Sequence, residues 1–167
     1  MSHYNDTITN MKRGLEVVIY GPYAEGGHER LELLRDKLRE IGYEKADLVD
    51  TLPDPPNTSH LSGSVFDTSK SEYYVRTSHV NLFVFFQDIP HGSVTIEMKD
   101  MFDHTSYKIP CSSFFVQVGT KLERLEHGSI RKYKRDYASF ETDDDLYKLA
   151  EKACLHHIIE DECLPNM

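Results

Sequence analysis

Apolar positions along the chain fall into two patterns, and the alternation between them predicts the architecture. Unbroken β-rich runs occur at Leu15-Glu16-Val17-Val18-Ile19-Tyr20, at Val80-Asn81-Leu82-Phe83-Val84-Phe85-Phe86 and at Ser113-Phe114-Phe115-Val116-Gln117-Val118. The second of these reads as a strand covered on both faces, and the other two read as strands. Shorter versions at Ala46 to Val49 and Tyr137 to Phe140 read as two more strands. Between them lie stripes at helical spacing. The clearest is His28 to Ile41, where Leu31, Leu34, Leu38 and Ile41 share one face and Gly42 follows as a stop. Ser69 to Thr77 predicts a short helix. A helix after Gly92 is expected to take Ser93 as its cap, with Glu97 about one turn in. Thr142-Asp143-Asp144-Asp145 opens a last helix to about Ile159, with a threonine cap and acids in the first turn.

Two stretches carry no such pattern. Residues 1–14 are expected to be a loose lead-in. Thr51 to Thr68 is expected to be loop, broken by Pro53, Pro55, Pro56 and Gly63. A loop of that length is usually functional or mobile.

Strands alternating with helices predict an α/β protein. Right-handed crossovers then build three α-β-α layers around a five-stranded parallel sheet of order 2-1-3-4-5, the flavodoxin-like arrangement. The 167 residues suffice for one such domain over the whole chain. In this order the chain turns back beside strand 1, so the loops after strands 1 and 3 face each other at the point where such folds bind ligands. Those loops are Gly21 to Gly27 and Gln87 to Ser93.

Composition removes several function classes. A formal charge of −9 opposes an unspecific grip on nucleic acid or an anionic membrane. The basic residues between Lys121 and Arg135 are diluted by Glu123 and Glu126. No apolar run approaches membrane-spanning length and the N-terminus lacks the core of a signal peptide. Cys111, Cys154 and Cys163 form no Cys-x-x-Cys pair, so they read as idle thiols of a cytoplasmic protein. The histidines make no metal spacing, and neither a P-loop nor a Gly-x-Ser-x-Gly elbow occurs. Neither a metal nor a bound cofactor is expected.

What remains is the chemistry of the two facing loops. Gly21-Pro22-Tyr23-Ala24-Glu25-Gly26-Gly27 either makes a tight turn or lets a ligand approach the backbone, with Tyr23 as a ring to stack on. Gly92 and Ser93 would offer backbone amides to a ligand. His91 is either a polar loop residue or a donor to a bound phosphate. Glu97, near the positive end of a helix, either complements the dipole or faces the cleft as a reactive carboxylate.

Three segments resemble the nucleoside 2-deoxyribosyltransferase-like group, a flavodoxin-like superfamily that extends to nucleotide N-glycosidases and, more distantly, to Toll/interleukin-1 receptor (TIR) domains. Val17 to Tyr23 resembles the first strand with its Gly-Pro-aromatic turn. Ser78 to Val84 resembles the strand that follows Ser/Cys-Asp, and Gly92-Ser93-Val94-Thr95-Ile96-Glu97 resembles the Gly-Thr/Ser-x-x-x-Glu turn. The resemblance implies Glu97 as nucleophile and Gly21, Pro22, Tyr23, His91, Gly92 and Ser93 as substrate contacts. It implies a small-molecule nucleotide or nucleoside as partner, and it is compatible with a homo-oligomer. Only one good carboxylate is present, and a cationic nicotinamide leaves without being protonated. An NAD-like nucleotide therefore fits better as substrate than an ordinary nucleoside. The alternative is a non-catalytic nucleotide sensor or a TIR-like assembly module.

Overall fold

In a computed structural model the chain is described over residues 2–24, 26–90, 92–120 and 137–160. His91, the basic stretch from Lys121 to Arg135 and Cys163 lie outside the described residues.

Five strands form one parallel sheet: β1 (Val17–Tyr20), β2 (Ala46–Leu48), β3 (Val80–Phe85), β4 (Ser112–Gln117) and β5 (Ala138–Phe140). Their spatial order is β2-β1-β3-β4-β5, as the alternating pattern predicts. Every residue of β1 and β3 is buried, which is why these strands read as continuous apolar runs and not as alternating ones. The register pairs Val18 with Asn81 and Tyr20 with Phe83.

Helices cover both faces. Helices α2 (Gly27–Glu40) and α5 (Asp143–Glu160) lie on one. There Leu31, Leu34 and Leu38 meet Leu146, Ala150, Cys154 and Ile158 over Val17, Ile19 and Leu82. Each buried leucine, isoleucine or valine there contributes roughly 1.5–3 kcal/mol. Helices α3 (Gly63–Thr77) and α4 (Gly92–His104) cover the other face. Val75, Val94, Met98, Met101 and Phe102 there close over Val18, Tyr20, Phe83 and Phe85. The cap expected for α5 is present: the Asp145 amide donates to Thr142 Oγ1, and the Thr142 amide to Asp145 Oδ2, each at 3.2 Å.

Four expectations are corrected. The loose lead-in is a helix, α1 (Ser2–Gly14), whose Ile8 and Met11 pack on the α2–α5 core. Its stripe is too sparse to stand out beside eleven mostly polar neighbours in the window. The long loop is shortened, because α3 begins at Gly63 and not near Ser69. Gly63 adopts a left-handed φ of 58°, and the inward face of α3 carries Lys70 and Ser71 beside Val75, so no apolar stripe marks it. Helix α4 starts at Gly92, so Ser93 falls within its first turn and not before it. Finally, Cys111 is disulfide-bonded and is not an idle thiol. Cys154 is free and buried, and burial pushes its thiol up to about 12.

Candidate functional site

The turn from β1 into α2 is shaped by contacts within the protein. A Cβ on Gly21 would lie 2.7 Å from Leu31 Cδ1, and one on Gly27 would lie 2.0 Å from the Pro22 carbonyl oxygen. Gly26 takes a left-handed φ of 84° immediately before the helix. Gly21 and Pro22 are buried. These residues therefore build a tight turn, and packing accounts for Gly21 and Gly27 without a ligand. The turn also meets the loop after β3: the Cβ position of Gly27 is 3.3 Å from Ile89 Cδ1. The two loops at the switch point are in contact.

On α4, Val94, Met98 and Met101 are buried at positions i, i+4 and i+7. Glu97 occupies the i+3 place of that same inward stripe. Its residue is partly buried, and its Oε2 atom is shielded from solvent. Its charge is felt by both Tyr20, the last residue of β1, and Tyr23. Helix α4 thus carries the charge felt by the two residues that flank Gly21 and Pro22. Gly92 and Ser93 lie in its first turn.

The two tyrosines differ in what holds them. Tyr20 is fully buried and stacked on Phe83, with ring centroids 4.7 Å apart. Its hydroxyl donates to Asn81 Oδ1 at 3.1 Å. Asn81 also accepts from Ser78 Oγ at 2.8 Å and donates to the Val75 carbonyl at 3.2 Å, which completes a buried network. Burial, reinforced by Glu97, raises the Tyr20 phenol well above its ordinary range. Tyr23 is raised by burial first, then by the charges of Glu97 and Asp50, while the amides of Asp50 and Val49 oppose the shift. Both therefore stay neutral phenols beside the carboxylate.

A further group joins α2 to the turn after β2. The His28 ring packs edge-on to Tyr23 at 5.3 Å. Its Nε2 lies 2.8 Å from Asp50 Oδ2 and its Nδ1 2.5 Å from Glu32 Oε1. Lys70 Nζ donates to the Asp50 carbonyl at 3.2 Å. The sequence reading passed over His28, Asp50 and Lys70. The order 2-1-3 held the signal, because it puts the end of β2 next to the end of β1.

The result is a half-buried carboxylate whose charge acts on two neutral phenols, Tyr20 and Tyr23, the second of which also feels Asp50. Such a group can accept hydrogen bonds, attack an electrophilic carbon or stabilise a developing cation. Among the described residues no cluster of three or more His, Cys, Asp or Glu side chains could hold a metal ion. No described helix is long and apolar enough to cross a membrane.

The fold places the protein among three-layer α/β proteins of flavodoxin-like topology. No family model matches the chain, and no curated protein matches it. It is similar to a solved structure described as a conserved protein from Enterococcus faecalis V583. The TM-score is 0.55 at 10% identity, over 83% of this chain and 98% of that one. At that identity the likeness is one of fold alone.

Proposed function

We propose that the protein cleaves or transfers the N-glycosidic bond of a ribosylated nucleotide, best an NAD-like one, with Glu97 as nucleophile or cation stabiliser. The supporting observation is the half-buried Glu97 on the inward stripe of α4, its Oε2 shielded from solvent and its charge felt by Tyr20 and Tyr23. In the reaction the C1–N bond of the sugar breaks and its electron pair passes to the ring nitrogen. A pyridinium ring such as nicotinamide thereby leaves neutral and takes no proton. Glu97 shields the positive charge at C1 or forms an ester with it. Water, or an acceptor hydroxyl, then bonds to C1, the Glu97–C1 bond breaking with return of its electron pair to the carboxylate where an ester formed, and the acceptor's proton passes to solvent.

The surroundings favour a cationic leaving group. Glu97 and Asp50 are both carboxylates whose charge acts on Tyr23, so negative charge gathers around that residue. The neutral phenols are poor acids here, which disfavours ordinary bases that depart only when protonated. Incubation with NAD followed by chromatography for free nicotinamide tests the reading. A rise in melting temperature without release of base would mark a nucleotide sensor instead.

A further inference from the structure

A cavity of about 340 Å³ opens at the amino ends of β4 and β5, whereas the turns after β1 and β3 lie at the carboxyl ends of the same parallel sheet. The volume is at the small end of ligand pockets, which run from about 300 to 1,000 Å³. Ser113, Phe115 and Ala138 form its floor on the sheet. Helix α5 forms one wall, with Leu149, Lys152, Ala153 and His156 at i, i+3, i+4 and i+7 on a single face. The buried His157 completes this side. The chain carries 28 acidic residues, yet none of them is among the described residues that line the cavity. The ionisable groups of that lining are Lys152, His156 and His157. Among the described residues no ion pair includes Lys152 or His156.

We propose that this cavity binds a small organic anion, a single carboxylate or phosphate head on a short apolar body. The head is drawn by Lys152 and His156, which lie one helical turn apart and are both exposed at the rim. A lysine offers three donors, and an imidazole offers an N–H in either protonation state. Bonds from such donors to an ionised head are roughly twice as strong as those between neutral groups. Ser113 supplies a hydroxyl from the floor. Its neighbour Ser112 is already engaged, with its Oγ 2.8 Å from the Lys108 carbonyl oxygen and 3.0 Å from the Met101 sulfur. The body is drawn by Phe115, Leu149 and Ala153, whose apolar surface a bare inorganic ion would leave wet. A cation meets no carboxylate in the described lining, and an uncharged ring gains nothing from Lys152. The cavity shares no residue with the Glu97 site, so the proposal stands apart from the glycosidic-cleavage reading.

The test follows the backbone amide signals by NMR while benzoate, phenyl phosphate, inorganic phosphate and uncharged benzamide are each added to the protein. Benzoate, phenyl phosphate or both are expected to shift the signals of Ser113, Ala138, Ala153 and His156, and to bind about tenfold or more tightly than benzamide. The tighter of the two organic anions identifies the head that the cavity prefers. Lys152→Glu, at an exposed position, is expected to weaken that anion by about tenfold or more and to leave benzamide unchanged. Glu97→Gln is expected to bind the anion as the wild type does. Silence of these four amides toward both organic anions would overturn the proposal. So would benzamide or inorganic phosphate binding as tightly as the better anion, or Lys152→Glu keeping wild-type affinity. Loss of binding in Glu97→Gln would move the ligand to the other end of the sheet and overturn it as well. Release of nicotinamide from NAD is read separately, so failure of the cleavage reading leaves these outcomes untouched.

Discussion

Gly27 sits directly against the carbonyl of Pro22, so closely that a Cβ would lie 2.0 Å from that oxygen. The contact holds the start of α2 against the turn from β1. Backbone and not a flexible side chain occupies the space, so a methyl group cannot be accommodated by a rotamer change. Gly27→Ala is expected to lose about 1–3 kcal/mol through overpacking. Its melting temperature should fall by several degrees. A variant as stable as the wild type would show that the turn is looser than described.

The buried network around Asn81 makes a second prediction. Asn81 accepts from Tyr20 and Ser78 and donates to Val75. Asn81→Ala strands three buried polar groups at once, and each stranded group costs on the order of 1–3 kcal/mol before relaxation or water entry. The variant is expected to lose roughly 2–4 kcal/mol in denaturant unfolding. Tyr20→Phe, which removes a single hydroxyl, should lose less. Should the two prove equal, Asn81 is not the centre of the network.

Acid dependence should be visible at His79. Burial lowers its imidazole below the ordinary value of 6.5, with Lys108 and Lys45 adding to the effect and Glu16 opposing it. The neutral ring accepts the Glu16 backbone N–H at Nδ1, 2.8 Å away. Between the folded and unfolded values the unfolded chain binds more protons at this residue, so stability rises with pH across that window. The contribution is complete above about pH 6.5 and fades as the pH falls through the lower folded value. Between about pH 7 and pH 5 the melting temperature of His79→Gln is expected to decline less than that of the wild type. Parallel declines would assign the acid sensitivity to other groups.

The frame of the molecule was legible because β1 and β3 are buried on both faces and β2, β4 and β5 follow at regular spacing. From that frame the order of strands follows, and with it the meeting of Gly27 and Ile89. Glu97 stood out in the sequence by its place near the start of the helix after Gly92, whereas its position on the stripe of Val94, Met98 and Met101 comes from the structure. Helix α3 was only half legible, since its inward Lys70 and Ser71 erase the apolar period. The glycines of the first turn were legible as a turn, but packing against Leu31 and Pro22, which sequence cannot reveal, is what explains two of them. His28 and Asp50 were missed because their bond joins the start of α2 to the end of β2, and no local pattern records a contact of that kind.

The most direct measurement is the release of nicotinamide from NAD by the wild type and by Glu97→Gln, which keeps the shape of the side chain and removes its charge. The account predicts release by the wild type, a loss of roughly a thousandfold or more in Glu97→Gln, and ligand binding by both. Release by Glu97→Gln at the wild-type rate would contradict it.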